Sequence, residues 1–182
     1  MSQDLMNDLA SEFWITSGVM TFTQVAMRAF ADSLPPAAST ANPDPTLFIG
    51  DADPNDPAAL VDASWPMSRI RGAADMDGWL QQWLSDAWLT MLFARWEAHY
   101  RPAFAAANGV EVDRVVSDVI GDIRHLRNDV VHHGGVASAR NAGKCIIMTK
   151  FSEGTRIQLQ PEDVRTLRSA LKVSIKPDDT AR

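Results

Sequence analysis

An arginine, an amide and a histidine lie close together at Arg127, Asn128 and His132. On a helix, Asn128 and His132 are four residues apart and therefore neighbours, on the flank nearest Arg127. Gly134 is typical of a residue that ends a helix, so His132 would lie in the last turn, where exposed carbonyl groups favour a cationic imidazole. Together these groups could hold a phosphodiester, with the guanidinium on the phosphate and the imidazole moving protons.

Arg127 occupies an apolar position of this predicted helix. The residues spaced three or four apart in its row are β-branched hydrocarbons. They are Val116, Ile120, Ile123, Val130 and Val131. A guanidinium buried without partners is costly, so Arg127 must pair with carboxylates, extend to an edge, or line a polar site between helices.

Charged residues beside these three widen the candidate site. Arg124 adds a positive charge to the same helix, and His133 directly follows His132, so the residue at which the helix frays decides which imidazole faces the site. Asp129 is a further auxiliary candidate. Asp129 and His133 are four residues apart, however, and could form an ordinary surface pair, as could His125 and Asp129.

The spacing of Arg127, Asn128 and His132 resembles the motif of HEPN domains, in which an arginine and a polar residue come shortly before a histidine, late in an all-helical bundle. The resemblance covers residues 73–136, where an amphipathic helix follows a Trp-rich one. It implies that two protomers join their motifs across a homodimer interface and cleave RNA without a metal ion. By this resemblance Arg127 would steady the phosphate, Asn128 would be the polar position and His132 would do the acid–base work. His133 satisfies the same spacing.

A toxin or defence role, with a cognate antitoxin or regulatory protein as partner, also comes from this resemblance. HEPN proteins paired with a nucleotidyltransferase antitoxin usually carry a tyrosine two residues after the histidine. Here that position is Gly134, so regulation by modification of such a tyrosine is not expected.

RNA cleavage of this kind needs few protein groups, because RNA carries its own nucleophile, the 2′-hydroxyl. A histidine suits the proton transfers, and an arginine fork counters the charge of the phosphorane. We predict products with 2′,3′-cyclic phosphate and 5′-hydroxyl ends, and DNA, which lacks that hydroxyl, should survive. Neither a metal ion nor a cofactor is expected.

Two other interpretations stay open. A catalytically inactive HEPN-like module would bind RNA, a nucleotide or a protein partner. Alternatively, the chain is a structural helical dimer in which Arg127 pairs with an acidic residue and the histidines form a solvated helix end.

Composition limits the partners of the chain. Its 182 residues are 46% hydrophobic, enough for one domain over 1–182, and the net charge of −6 means that any RNA contact must be local. The single Cys145 suits a reducing cytoplasm, and the acidic N-terminus is the reverse of a signal peptide. The apolar stretch from Phe13 to Ala31 contains too many polar residues to span a membrane and is predicted as a buried helix.

The hydrophobic pattern predicts a mainly α-helical fold, a HEPN-like bundle with a small C-terminal β-hairpin and a short helix. Residues 1–33 form a leading helix by their apolar period, and residues 34–68 form a Pro- and Asp-rich loop without long helices or strands. Residues 73–136 hold the core helices with the motif, and residues 144–176 hold the hairpin and the last helix. The tail after 176 is expected to be disordered.

Helix boundaries in the core follow from caps and breakers. The Trp-rich helix is predicted to start at Asp75 or Asp77 and to reach about Tyr100, where Pro102 ends or kinks it. Core packing explains most of its four tryptophans, and a second protomer would cover the rest. The motif helix is predicted from about residue 114, capped by Asp113, to His133. The hairpin would pair 144–151 with 156–160.

Overall fold

The computed structural model describes residues 3–35 and 44–177, and within them the chain is mainly helical, as predicted. The helices are α1 (Gln3–Ser33), α2 (Met67–Ala74), α3 (Trp79–Arg95), α4 (Arg101–Asn108), α5 (Asp118–His133) and α6 (Pro161–Ser169). The strands are β1 (Thr46–Gly50), β2 (Val61–Pro66), β3 (Val115–Val116) and β4 (Ser174–Ile175). The start of the predicted leading helix (1–2), part of the predicted loop (36–43) and the end of the tail (178–182) lie outside the described residues.

The chain divides into two compact units. The first comprises Met1–Thr21 and Gln82–Arg182, and the second comprises Phe22–Gln81. All the predicted site residues belong to the first unit.

The second unit corrects the prediction of a loop over 34–68. β1 and β2 pair as an antiparallel hairpin, with Thr46 opposite Pro66. Prolines do not prevent it, because Pro66 lies at the strand end and Pro54 and Pro57 lie in the connection, where no ladder donor is needed. The Trp65 ring contacts the Trp79 ring edge to face, with centroids 5.4 Å apart.

The core of the first unit forms around α3 and the first part of α1. Phe13 of α1 is fully buried and meets Trp88 of α3 edge to face, with ring centroids 5.3 Å apart. Glu12 accepts hydrogen bonds from Arg95 Nε at 2.7 Å and from the Tyr100 hydroxyl. Arg95 holds the pKa of Glu12 below its ordinary value, and burial together with Glu12 raises the pKa of Tyr100 to about 12.

The Trp-rich helix does not end at Pro102. A π-helical turn, Trp96–Tyr100, joins α3 directly to α4, and Pro102 lies in the first turn of α4. Of its four tryptophans, Trp88 and Trp96 are buried in the core. Trp83 is 61% exposed, so core packing does not account for it.

The motif helix begins later than predicted. Val112–Arg114 is a 3-10 turn and β3 follows it, so Asp113 does not cap α5, whose N-cap is Ser117. The helix ends where predicted, because Gly134 adopts a left-handed conformation with φ of 60°.

A small antiparallel pair near the C-terminus is present, but its residues differ from the prediction. β3 pairs with β4, with Val115 opposite Ile175. The predicted arms 144–151 and 156–160 are not strands and do not pair with each other. Backbone N–H groups in the first arm bind the Asp122 carboxylate instead, and Ile157 of the second donates to Gly135 O at 2.8 Å. The predicted short helix from Pro161 is confirmed as α6.

A candidate nucleic-acid interface at the end of α5

Two buried aspartates on α5 fix the chain that follows this helix. Asp122 is 1% exposed and accepts backbone N–H groups from Ile146, Ile147 and Met148 at 2.7 to 2.8 Å. A carboxylate has several acceptor positions, so it can pair several N–H donors that would otherwise be unsatisfied. Asp122 therefore replaces a strand partner for this segment, which explains why no hairpin forms there.

Asp129, two turns later on α5, fixes the segment after the Gly-Gly stop. Its carboxylate accepts the Ser138 backbone N–H at 3.0 Å, the Ser138 hydroxyl at 2.7 Å and the Asn141 amide at 2.7 Å. Burial alone would raise the pKa of Asp129, but these hydrogen bonds and the nearby His133 imidazole hold the pKa below its ordinary value. The loop 138–141 is thereby held against the end of α5.

Between α5 and this loop lies a cleft of about 470 Å³, which we call the basic cleft. Its lining consists of Arg124, His125, Asn128, His132, His133, Arg140, Asn141 and Lys144. Three of these side chains carry permanent positive charge, three are imidazoles and two are amides; none is a carboxylate. In a chain of net charge −6, such a lining concentrates positive charge at one place.

Most of the predicted site residues meet in the basic cleft. Arg124, Asn128 and His132 follow one another at intervals of four on α5 and all line it, together with His133. Asp129 does not line it but lies beneath, 1% exposed, with its Oδ1 4.0 Å from His133 Nε2. The alternatives His132 and His133 are thus not exclusive, since both imidazoles border the same space.

Arg127 is not among the residues that line the cleft. Its Nη1 donates to Asn128 Oδ1 at 3.2 Å, and its guanidinium carbon lies 5.7 Å from the centre of the Phe93 ring. Its Nε is buried without a hydrogen-bond partner. Among residues 3–35 and 44–177, no carboxylate oxygen lies within 4.0 Å of this guanidinium. The arginine therefore touches the cleft only through Asn128.

Four lining residues were not predicted as site residues: His125, Arg140, Asn141 and Lys144. A signal existed for His125, which is three residues before Asn128 and thus on the same side of a helix. For the other three the sequence gives little signal, because they lie in an irregular loop whose course depends on Asp122 and Asp129.

Comparison with family models, curated proteins and solved structures yields no match to this chain. The HEPN resemblance therefore stays a prediction. In the described part of the chain, no helix is long and apolar enough to cross a bilayer. Nor do three or more histidine, cysteine or acidic side chains gather there in a way that could hold a metal ion.

Proposed function

We propose that the basic cleft binds single-stranded RNA and that the protein is an endoribonuclease that works without a metal ion. The observation that carries this proposal is the lining itself, three imidazoles and three permanent cations with no carboxylate. Cations bind the phosphates, and imidazoles transfer protons near neutral pH. A free mononucleotide would fit the same charge, but a cleft open to solvent also lets a strand run through it.

The cations and two of the imidazoles of the cleft have defined roles in this reaction. Arg124, Arg140 and Lys144 neutralise the phosphodiester and the phosphorane that forms from it. One imidazole accepts the proton of the 2′-hydroxyl while the O2′–P bond forms. A second imidazole gives a proton to the 5′-oxygen as the P–O5′ bond breaks, leaving a 2′,3′-cyclic phosphate and a 5′-hydroxyl.

Arg127 acts in this proposal by holding Asn128 at the cleft. Its predicted contact with phosphate needs a second protomer or a change of rotamer, and a homodimer with two joined motifs is part of the proposal. Exposed apolar side chains of the first unit, Trp14, Ile15, Val19 and Trp83, are the surface that a second copy would cover. A toxin or defence role, an antitoxin partner and a cytoplasmic location come from the predictions above and stay predictions.

The test uses the full chain with a fluorescent single-stranded RNA and a DNA of the same sequence, both in EDTA. We expect the RNA to be shortened, with cyclic phosphate ends, and the DNA to stay intact. His132→Ala combined with His133→Ala should slow cleavage by a factor on the order of 10² or more. His99→Ala is the matched control, because His99 is an exposed histidine outside the cleft lining.

Three outcomes separate the candidate functions. Cleavage that the double histidine variant loses supports the endoribonuclease. RNA that binds but is never cut by the wild-type protein replaces it with a catalytically inactive RNA-binding module. RNA that does not bind at all, at low salt, removes the cleft as an RNA site and leaves the structural dimer or an inactive module that binds a nucleotide or a protein partner.

A further inference from the structure

A chain of hydrogen bonds runs from a buried carboxylate to one imidazole of the basic cleft. Asn141 Nδ2 donates to Asp129 Oδ1 at 2.7 Å, and Asn141 Oδ1 lies 3.2 Å from His125 Nδ1. Asp129 is 1% exposed and Asn141 is 8% exposed, so the bond between them is buried away from water. His125 is half-buried and lines the cleft.

The chemistry of these groups fixes the direction of every bond in the chain. An ionised carboxylate only accepts, so the amide NH2 of Asn141 must face Asp129. The amide oxygen of Asn141 must then face His125, and because that oxygen only accepts, His125 Nδ1 must carry a proton. A neutral imidazole has one N–H, which leaves the Nε2 of His125 unprotonated.

We propose that His125 is the general base of the cleft, and that Asn141 and Asp129 are its positioning residues. This inference rests on the proposed RNA cleavage at the same site. His125 Nε2 takes the proton of the 2′-hydroxyl as O2′ attacks phosphorus. The P–O5′ bond breaks and the 5′-oxygen receives its proton from an imidazolium of the cleft, so one proton is taken up and one is given.

The other two imidazoles of the cleft are placed for the acid. His132 and His133 lie in the last turn of α5, where unpaired carbonyl oxygens attract positive charge. His133 also has the Asp129 carboxylate at 4.0 Å. His125, in contrast, lies in the interior of α5, where the backbone carbonyl oxygens are paired within the helix. The base and the acid thus come from different turns of one helix.

The first test reads the protonation of the imidazole nitrogens directly, by long-range ¹H–¹⁵N spectra of the ¹⁵N-histidine-labelled full chain above pH 7. We expect His125 to carry its proton on Nδ1, the less common form of free histidine. Asn141→Leu should move this proton to Nε2, because the acceptor is lost. Asn128→Leu, the other cleft amide, is the matched control and should leave the His125 signals in place.

A wild-type His125 with its proton on Nε2 would overturn the inference without reference to any activity. This reading needs no variant, so it holds even if Asn141→Leu fails to fold. Asn141→Leu protein that is folded and keeps the Nδ1 proton would also overturn it, since the positioning would then come from elsewhere.

The second test distinguishes the assignment of His125 as the base from the proposed cleavage of RNA. We expect His125→Ala to lower the cleavage rate by a factor on the order of 10² to 10⁴, while its affinity for an uncleavable 2′-O-methyl RNA changes by less than about threefold. Equal cleavage by His125→Ala and wild type overturns the base assignment alone. Absence of cleavage by the wild-type protein overturns the proposed function, and the base assignment with it.

Discussion

Asp122 and Asp129 lie two turns apart on one face of α5, and both are 1% exposed. The Asp122 carboxylate takes its hydrogen bonds from backbone N–H groups of the segment 146–148. The Asp129 carboxylate takes one from backbone and two from side chains, the Ser138 hydroxyl and the Asn141 amide. The same residue type, equally buried on the same helix, thus binds different kinds of donor.

Because their donors differ, the two aspartates of α5 contribute differently to stability and to the proposed chemistry. Backbone donors end the hydrogen-bond chain, so these bonds connect the Asp122 carboxylate to no side chain of the cleft. A side-chain amide can donate and accept at once, so Asn141 links the Asp129 carboxylate by hydrogen bonds to His125 in the basic cleft. We therefore expect Asp122 to affect stability, and Asp129 to affect both stability and the protonated form of His125.

The largest effect is expected at Asp122. Asp122→Ala leaves the backbone N–H groups of Ile146, Ile147 and Met148 without their acceptor, and that of Met148 is buried, which should lower the free energy of unfolding by about 3–5 kcal/mol. Chemical denaturation measures it. Asp118→Ala, an exposed aspartate at the start of the same helix, is the control and should cost far less. If both variants lose the same free energy of unfolding, the hydrogen bonds to Asp122 stabilise the fold no more than an exposed aspartate does.

A smaller loss of stability, with a change in the cleft, is expected at Asp129. Asp129→Asn keeps the shape but removes the charge, so the hydrogen bonds from Ser138 and Asn141 weaken, at a cost of about 2–3 kcal/mol. The neutral amide also frees Asn141 to flip, so His125 should show both protonated forms in the histidine spectra. If the variant loses stability but His125 keeps a single protonated form, Asp129 does not position His125 and resembles Asp122.

The pH dependence of this loss has a definite sign. The pKa of Asp129 in the folded protein lies below its ordinary value of 3.8, so its charge stabilises the fold above that pH and the benefit disappears as the pH falls through the folded value. The stability gap between wild type and Asp129→Asn should therefore be full at pH 7 and shrink below about pH 4. Denaturation curves from pH 7 to pH 2.5 measure it. If the difference in free energy of unfolding between the two proteins does not change with pH, the charge of Asp129 does not cause the stabilisation.

The loop that Asp129 holds should contribute to RNA affinity. Arg140→Ala removes one cation of the cleft and should weaken binding of uncleavable RNA by about fivefold to tenfold at low salt. The slope of log K against log salt should fall by about 0.7. Arg165→Ala is matched in charge, but Arg165 pairs with Glu162 outside the cleft, so no change in slope is expected. Equal slopes for the two variants would exclude Arg140 from the RNA contact.

The smallest effect on stability is expected at Arg127. Its guanidinium has no carboxylate within 4.0 Å among the described residues, and its Nε is buried and unpaired. Arg127→Met leaves no buried charge behind and keeps the contact with Phe93, so the free energy of unfolding should change by less than about 1 kcal/mol. A loss of several kcal/mol in the denaturation curve would reveal an ion pair, as the structural-dimer alternative requires.

Periodic patterns in the sequence predicted the elements better than the contacts between them. α1, the end of α5 at Gly134 and the start of α6 at Pro161 agree with the structure, because apolar period and caps are local properties. The hairpin over 144–160 was wrong, because alternation cannot show that a buried aspartate takes the N–H groups of one arm. Conversely, the hairpin of β1 and β2 was missed because its prolines lie at positions that strands tolerate.

The candidate site was predicted in part for the same reason. Asn128, His132, His133 and Arg124 share one helix, so their spacing places them together. Arg140, Asn141 and Lys144 lie in a segment that tertiary hydrogen bonds tie to Asp129 at 138–141 and to Asp122 at 146–148, and no local rule predicts these bonds. Asp129 itself resembled a surface residue in the sequence, and only the structure shows that it is buried.

Binding of RNA in the basic cleft can be observed by titrating 2′-O-methyl RNA into the full chain with all four histidines labelled with ¹⁵N. The side-chain signals of His125, His132 and His133 should move together and saturate at one affinity, while those of His99, outside the cleft, stay in place. RNA that leaves the three cleft histidines unchanged, or moves only His99, would contradict the account.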